Sequence, residues 1–293
     1  MISPLIDALI ETALAEDLAT GDVTSEAVVP KAARALARAV ATQALVLAGG
    51  DAFARVFYRV DPGVRVERLV EDGTRVDVGT ALFVIEGSAR SLLAAERTAL
   101  NLLQRASGVA TLTARFVAAV PAGAKLRIVD TRKTTPGLRA LERAAVRAGG
   151  GHNNRNDLGA AILIKDNHIA LAGGVGRAIA LARERAAHLT RLEVEVDTLA
   201  QLDEALLAGA EVILLDNFEL ADVTEAVRRA ERKGASDRGR PLLEVSGGVT
   251  VERIAELARL GIDVVSVGAL THSAPAADIS LELTPLAAST SPG

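Results

Sequence analysis

The feature that most constrains the fold is a repeated unit in the second half of the chain: a short apolar stretch, a polar or glycine-containing end, and a helical pattern. Alternating strand and helix units favour a parallel sheet, and a run of at least six favours a barrel over an open doubly wound sheet. No GxGxxG motif follows the first of these strands, which weakens the Rossmann alternative. The six predicted strands cover residues 126–129, 162–164, 192–196, 212–215, 242–245 and 264–267.

The first half of the chain has a different pattern. Ser3 and Pro4 are typical of the cap and first turn of an amphipathic helix. Residues 33–48 and 64–85 are rich in Val and Leu with pieces of period two, which predicts a small antiparallel or mixed sheet, with a helix at 50–59 between its strands. Residues 91–120 are again helical in pattern, and Gly108 predicts a break between two helices.

Composition excludes several classes of protein. Hydrophobic residues make up 49% of the chain and aromatic residues only 2%, so the core is built from Ala, Val, Leu and Ile, which suits parallel strands covered by helices. A net charge of −4, without a basic run or a set of stacking aromatics, argues against nucleic acid as a partner. The absence of cysteine fits a cytoplasmic location. No membrane partner and no secretory signal are expected.

Cationic side chains concentrate between Asp130 and His168, on strand ends and beside a glycine run. This arrangement predicts a binding site for a small, multiply anionic substrate. The planar fork of arginine suits bidentate pairing with carboxylates, whereas lysine is a compact charge suited to phosphate oxygens. The alternative is a set of structural ion pairs at the surface. The cations are Arg132, Lys133, Arg139, Arg155 and Lys165.

Acids and glycines occupy the other strand ends. Glu195 and Asp216 end successive strands, where they could hold a divalent cation, bind sugar hydroxyls or stabilise a developing positive charge. Glu193 faces the same side as Glu195 by strand alternation and competes for that role. The turn 246–248 and Gly268 would let backbone N–H groups approach a phosphate. The four scattered histidines do not form a zinc motif.

An ordered series of motifs resembles the type II phosphoribosyltransferases, specifically the quinolinate phosphoribosyltransferase family. The resemblance covers nearly the whole chain. Its motifs are EDL at 16–18, GDVT at 21–24, ERTALN at 96–101, SGVAT at 107–111, DTRKT at 130–134, PG at 136–137, GGG at 149–151, LIKDNH at 163–168, EVEV at 193–196, LDN at 215–217, SGG at 246–248 and VGALTH at 267–272.

The resemblance implies an α/β protein with an N-terminal α/β sandwich domain and an incomplete α/β barrel of about seven strands. We place the sandwich at 1–110, the barrel at 111–273, and at 274–293 a segment expected to return to the N-terminal domain and end in a frayed tail. It also implies a homodimer that converts quinolinate and phosphoribosyl pyrophosphate, with Mg²⁺, to nicotinate mononucleotide, pyrophosphate and CO₂ in NAD biosynthesis. Both substrates carry several negative charges, which accounts for the cation cluster.

The same resemblance assigns roles to individual residues. The implied catalytic set is Lys133, Lys165, Glu195 and Asp216, of which Glu195 and Asp216 lie near the ribose and contact Mg²⁺ mostly through substrate and water. Arg97 would be donated across the dimer interface. The remaining substrate-binding residues are Arg132, Arg155, His152 and Asn154 for quinolinate, and Ser246, Gly247, Gly248 and Gly268 for the 5′-phosphate.

Asn154 departs from the family pattern, which has a substrate-side histidine at this position. An amide cannot carry charge, so a carboxylate there loses a charge-assisted contact worth about 1.5 to 3 kcal/mol. We expect His152 or the nearby arginines to supply the missing donor.

Three alternatives stay open from the sequence: a paralogous phosphoribosyltransferase for another ring acid, a Schiff-base lyase built on Lys165, and a noncatalytic phosphometabolite-binding protein.

Overall fold

The computed structural model describes residues 3–234 and 239–287, and the chain forms two compact units. The first unit takes residues up to Ala114, Thr134–Gly150 and the residues from Leu270 onward. The second takes Arg115–Lys133 and Gly151–Ala269. Each unit therefore draws on stretches that are distant in sequence.

The secondary structure elements follow one another in two series. Up to the long helix α4 the order is α1 (Pro4–Asp17), α2 (Val23–Val28), β1 (Arg34–Ala41), β2 (Leu45–Val46), α3 (Gly50–Val60), β3 (Arg65–Arg68), β4 (Arg75–Val76), β5 (Ala81–Ser88) and α4 (Ala89–Ala118). It continues with β6 (Arg127–Val129), α5 (Arg139–Ala148), β7 (Ile162–Ile164), α6 (Asp166–Ala172), α7 (Val175–Arg185), β8 (Leu192–Val196), α8 (Leu199–Leu207), β9 (Val212–Asp216), α9 (Leu220–Gly234), β10 (Leu242–Ser246), α10 (Val251–Arg259), β11 (Val264–Ser266), α11 (Ala269–His272) and β12 (Ile279–Pro285).

The first unit contains a four-stranded antiparallel sheet in the order β12-β1-β5-β3. Alternate residues of β1 are buried, because each second side chain points into the core. β12 pairs along β1 from Ala35↔Pro285 to Ala41↔Ile279. The frayed end that the sequence predicts lies almost wholly in residues 288–293, outside the described residues.

Helix α1 begins as predicted. Pro4 is its first residue, and the Oγ of Ser3 accepts a hydrogen bond from the N–H of Leu5 at 3.3 Å. Proline is favoured at this position because its missing N–H has no intrahelical partner to lose. The helix at the predicted residues 50–59 is also present, as α3.

The prediction of a break at Gly108 is wrong: α4 is one continuous helix of 30 residues. A β-carbon at Gly108 would overlap the carbonyl oxygen of Pro275 and lie 3.1 Å from the Cα of Ala276. The glycine therefore allows a backbone crossing instead of ending a helix. Neither α4 nor any other helix in residues 3–234 and 239–287 is long and apolar enough to cross a membrane.

The second unit contains a six-stranded parallel sheet in the order β6-β11-β10-β9-β8-β7. All six predicted barrel strands are present, with ends that shift by one residue at most. About seven strands were expected. In place of a seventh strand, His152 forms a single parallel bridge with Val129, on the side of β6 that does not pair with β11. In β8 the apolar residues are buried under the helices, while Glu193 and Glu195 face the other side. The barrel is thus incomplete, and its interior carries charged side chains.

Candidate active site

A pocket of about 350 Å³ lies at the carboxyl ends of the barrel strands, within the second unit. Parallel strands bring these ends to one edge, where α/β barrels collect their reacting groups. The pocket is lined by Thr131, Arg132, Lys133, Asn154, Arg155, Leu163, Lys165, Glu195, Leu214, Asp216, Glu244, Ser246 and Ser266.

Most of the predicted site residues meet in this pocket, which contains four of the five predicted cations and both predicted acids. The fifth cation, Arg139, lies in the first unit on α5, where its Nε donates to Thr134 Oγ1 at 3.0 Å. Arg97 lines a smaller pocket of about 120 Å³ within the first unit. His152 is exposed beside β6, and Gly247, Gly248 and Gly268 follow the strand ends without lining the pocket.

Sequence reasoning missed several pocket residues. Leu163, Leu214, Glu244 and Ser266 each lie two positions before a strand-end residue that was identified, namely Lys165, Asp216, Ser246 and Gly268. Side chains two apart on a strand share a face. The period-two rule applied backwards from each strand end would have found all four.

Lys165 and Glu195 form an ion pair at the mouth of the barrel. The register places them side by side, because Ile164 pairs with Val194 on the neighbouring strand. The Lys165 side chain is 44% exposed, whereas that of Glu195 is only 11% exposed. The pair presents an ammonium to the pocket and holds a mostly buried carboxylate behind it.

Asn154 is held by the protein on three sides. Its backbone N–H donates to the Oδ1 of Asp130 at 2.8 Å, and Asp130 is fully buried. Its Oδ1 accepts from the N–H of Arg155 at 2.6 Å, and its Nδ2 lies 3.5 Å from Glu244 Oε1. The amide thus fixes the start of the loop that carries Arg155.

Arg155 lines the pocket as a half-buried cation. Burial, followed by the nearby positive charge of Arg132, lowers the pKa of its guanidinium below the ordinary value for arginine. Its Nη1 also donates to the carbonyl oxygen of Ala161 at 3.2 Å. Two arginine side chains that line one pocket favour an anion that bridges them.

Two buried acids, Glu193 and Glu244, are hydrogen-bonded to each other beneath the pocket. Burial raises the pKa of Glu193 to about 8, and the charges of Glu244 and Glu195 add to the shift. Burial also raises the pKa of Glu244, which is 4% exposed and accepts a hydrogen bond from Glu193. Glu193 therefore carries the proton at neutral pH, because two ionised carboxylates in contact would repel each other.

This pair makes stability depend on pH. The folded pKa of Glu193, about 8, lies above the value of 4.5 expected for the unfolded chain, so the folded state binds the proton more tightly. We expect the free energy of unfolding to fall as the pH rises from about 4.5 to about 8. Glu193→Gln, which keeps the donor to Glu244 without titrating, should flatten this dependence in urea unfolding at several pH values.

The matched control is Glu184→Gln, at an exposed position of the same unit. It should retain the wild-type dependence on pH. An equally steep fall in stability for Glu193→Gln would show that another group is responsible.

The glycine turn after β10 has backbone angles that favour glycine. Gly247 and Gly248 have φ values of 91° and 55°, in the left-handed region. The turn leads through Thr250 into the nine-residue helix α10. Backbone N–H groups at the start of a helix favour an anion, so the geometry suits a phosphate.

Glu195 and Asp216 are the candidate metal-binding side chains. No cluster of three or more acidic or histidine side chains suited to a metal ion occurs in the part of the chain that the structure describes. The Asp216 carboxylate is held by the Nδ2 of Asn217 at 2.8 Å. Two carboxylates at neighbouring strand ends fit a divalent cation whose other ligands come from substrate and water.

A second cavity of about 320 Å³ lies beside β7 in the same unit. Its lining is mostly aliphatic, with Arg155 and His168 as the polar exceptions. It lacks the paired acids and the cation cluster, so the strand-end pocket is the better candidate for anionic substrates.

Two family models match the chain in succession. The model described as "Quinolinate phosphoribosyl transferase, N-terminal domain" matches residues 22–107, and the corresponding C-terminal domain model matches residues 109–282. Together they account for most of the chain.

Curated and solved relatives agree with these models. The chain is 46% identical over 278 residues to nicotinate-nucleotide pyrophosphorylase [carboxylating] of Mycobacterium leprae, covering 94% of this chain and 95% of the relative. It is 39% identical over 269 residues to a probable enzyme of the same name from Bacillus subtilis, covering 92% and 90%. The crystal structure of NadC from Streptococcus pyogenes matches with a TM-score of 0.90 and 41% identity, covering 98% of this chain and 99% of that one. The chain belongs to the quinolinate phosphoribosyl transferase family.

Proposed function

We propose that this protein joins quinolinate to phosphoribosyl pyrophosphate and releases nicotinate mononucleotide, pyrophosphate and CO₂, a step of NAD biosynthesis. The observation that carries the proposal is the strand-end pocket, in which four cations and three acids surround one cavity in a member of this family. A Schiff-base lyase is disfavoured, since it needs a neutral lysine and Lys165 is engaged in an ion pair with Glu195.

The cations are proposed to bind the two carboxylates of quinolinate. Arg132 and Arg155 offer planar forks for bidentate contacts, and Lys133 and Lys165 add compact positive charges. Asn154 and the exposed His152 are proposed to donate further hydrogen bonds to the substrate at the edge of this site.

The acids and glycines are proposed to bind phosphoribosyl pyrophosphate. Glu195 and Asp216 would face the ribose, while the turn 246–248 and Gly268 take the 5′-phosphate. The left-handed glycines of the turn support this assignment, because the turn leads through Thr250 into the start of helix α10, where backbone N–H groups favour an anion.

In the reaction, the ring nitrogen of quinolinate bonds to the anomeric carbon as the bond to pyrophosphate breaks. Positive charge develops on the ribose, and the carboxylates of Glu195 and Asp216 would stabilise it. The carboxyl group beside the ring nitrogen then leaves as CO₂, because the positively charged ring accepts the electron pair, and the ring carbon takes up a proton.

Mg²⁺ is proposed as the cofactor, with Glu195 and Asp216 contacting it mainly through substrate and water. When bound, Mg²⁺ would neutralise charge on the leaving pyrophosphate. The two carboxylates fit such an ion better than a fully protein-bound one, which takes more ligands than they provide.

Purified protein with Mg²⁺ and phosphoribosyl pyrophosphate should be offered quinolinate or nicotinate, while release of pyrophosphate and CO₂ is followed. Nicotinate is the matched control, because it lacks the carboxyl group that must be lost. We expect both products with quinolinate. No product with quinolinate would contradict the proposed function, and turnover of another ring acid alone would favour a paralogue.

We also propose a homodimer in which Arg97 completes the site of the partner subunit. Arg97→Ala and Lys165→Met homodimers should both be nearly inactive. A heterodimer with one subunit of each kind should regain about half of the wild-type activity, because one of its two sites lacks both defects. Differently tagged subunits, coexpressed and purified through both tags, provide the heterodimer for a steady-state assay.

The control heterodimer carries Arg97→Ala in both tagged subunits and should stay inactive. If Arg97 served its own subunit, each site of the mixed heterodimer would contain one defect. The absence of recovery would therefore contradict the proposed exchange of Arg97.

A further inference from the structure

Asn217 follows the last residue of β9 in an unusual backbone conformation. Its φ is 56°, the one positive φ of a non-glycine residue among residues 3–234 and 239–287. Most residues avoid a left-handed conformation for steric reasons, and asparagine is among the few that tolerate it. Such conformations persist where the surrounding structure fixes them and are common at functional sites.

The side chain and the backbone N–H of Asn217 contact two parts of the pocket edge. Its Nδ2 donates to the Oδ2 of Asp216 at 2.8 Å. Its backbone N–H donates to the carbonyl oxygen of Ser246 at 3.0 Å, and Ser246 pairs with Asp216 in the sheet. The left-handed turn therefore folds the amide back between one strand end and the next.

Gly247 packs directly against this amide. A β-carbon at Gly247 would overlap the Oδ1 of Asn217 and lie 2.6 Å from its Cγ and 3.0 Å from its backbone nitrogen. The glycine thus admits Asn217 as well as providing the turn itself. Asn217 contacts the acid on one side and the glycine turn on the other.

We propose that Asn217 is a positioning residue for phosphoribosyl pyrophosphate: it fixes the Asp216 carboxylate relative to the Gly247 turn. This inference rests on the proposed function, in which Asp216 faces the ribose and the turn takes the 5′-phosphate. Both groups belong to one small molecule, so the two subsites must keep one spacing for both contacts to form together. Errors well below 1 Å are enough to lose such a contact.

Asn217→Gly is the main test, because glycine adopts the left-handed conformation without steric cost and removes only the amide. We expect the Kd of phosphoribosyl pyrophosphate, measured by titration calorimetry with Mg²⁺, to rise roughly 10- to 100-fold. The Kd of quinolinate should change less than about twofold, since its proposed ligands do not contact Asn217. Asn217→Asp keeps the shape but places a carboxylate against Asp216, so the Kd of phosphoribosyl pyrophosphate should rise at least as much.

A double-mutant cycle separates positioning from a general structural role. If Asn217 acts through Asp216, Asn217→Gly should have little further effect on the Kd in an Asp216→Asn background. Undiminished additivity of the two changes would overturn the proposal. So would equal losses of affinity for both substrates, or an unchanged Kd for phosphoribosyl pyrophosphate in Asn217→Gly.

Gly247→Ala approaches the same contact from the other side and should also weaken binding of phosphoribosyl pyrophosphate. Gly261→Ala is its matched control: Gly261 also has positive φ, of 83°, but a β-carbon there meets no atom within 4 Å. It should leave both dissociation constants at the wild-type value.

Failure of this inference can be told apart from failure of the proposed function. Wild-type protein that binds phosphoribosyl pyrophosphate but forms no product from quinolinate contradicts the function, and calorimetry still decides the role of Asn217. Wild-type protein that turns over quinolinate while Asn217→Gly binds normally contradicts the inference alone. Wild-type protein that does not bind phosphoribosyl pyrophosphate contradicts both.

Discussion

Replacing Gly108 with alanine is expected to destabilise the first unit by about 3 kcal/mol or more, a large loss for one methyl group. The added β-carbon would overlap the carbonyl oxygen of Pro275 and lie 3.0 Å from its carbonyl carbon. Backbone on both sides cannot move aside as a flexible side chain would. Chemical denaturation should show a lower unfolding midpoint, and thermal unfolding a melting temperature lower by roughly 6 to 12 °C.

The crossing at Gly108 is held closely by its neighbours, which is why little relaxation is expected. The backbone carbonyl oxygen of Gln104 accepts a hydrogen bond from the N–H of Ala277 at 2.9 Å. The side-chain Nε2 of Gln104 donates to the carbonyl oxygen of Ile279 at 2.8 Å. Arg105 donates to the carbonyl oxygen of Ala274 at 2.7 Å. Displacing this segment would strain the pairing of β12, which starts at Ile279.

Gly176→Ala is the matched control, since Gly176 also lies within a helix but a β-carbon there meets no atom within 4 Å. Alanine should leave stability unchanged there or raise it by up to about 1 kcal/mol through helix propensity. Equal effects of the two substitutions would show that the close approach at Gly108 is not decisive.

The same glycine shows why one prediction from the sequence was wrong. A glycine inside a helical pattern indicates either a break or a close contact, and the local sequence does not distinguish them. The contacting segment is far away along the chain: the bond from Gln104 to Ile279 spans 175 positions. Such a contact has no signal within a short window of sequence.

The barrel strands and their ends were predictable because the signal there is local. A short apolar run that stops at a charged residue or a glycine marks the point where the chain leaves a covered sheet. Lys165, Glu195 and Asp216 were identified in this way and lie together in the pocket. Their meeting follows from parallel topology, which repeated strand and helix units already imply.

Glu244 was missed because a single acid in a strand usually marks a solvent-exposed face. In the barrel the second face is the interior, so Glu244 is 4% exposed, and burial raises the pKa of its carboxyl group. Burial of this kind depends on which side of the sheet a residue occupies. Only counting back from the strand end reveals it.

The position of helix α5 could not be predicted from the sequence, for a different reason. The predicted cation cluster included Arg139 of this helix, yet the helix lies in the first unit, where the guanidinium of Arg105 pairs with Glu142 at 2.6 Å. Glu142 is fully buried and also accepts from the N–H of Thr135 at 3.1 Å. Local composition does not indicate to which of the two units a segment belongs when the chain passes from one unit to the other and back.

Loss of the Lys165 ammonium is expected to reduce activity more than most other single changes in the pocket. Lys165→Met should lower kcat/KM for quinolinate by about 100-fold to 1000-fold. The ammonium is proposed to attract the anionic substrate, and without it Glu195, whose side chain is 11% exposed, faces that substrate as an uncompensated negative charge. Steady-state kinetics measure the loss of kcat/KM, and titration calorimetry measures the loss of affinity for quinolinate.

A second change tests whether repulsion by Glu195 contributes. Adding Glu195→Gln to Lys165→Met should restore part of the affinity for quinolinate, although turnover stays low because Glu195 is itself proposed to stabilise the ribose. Lys125→Met is the matched control: Lys125 is exposed just before β6, at the opposite ends of the strands, and its loss should leave kinetics unchanged. An unchanged kcat/KM for Lys165→Met would show that Lys165 does not belong to the site. If adding Glu195→Gln does not improve the affinity for quinolinate, loss of attraction by Lys165 accounts for the effect without repulsion by Glu195.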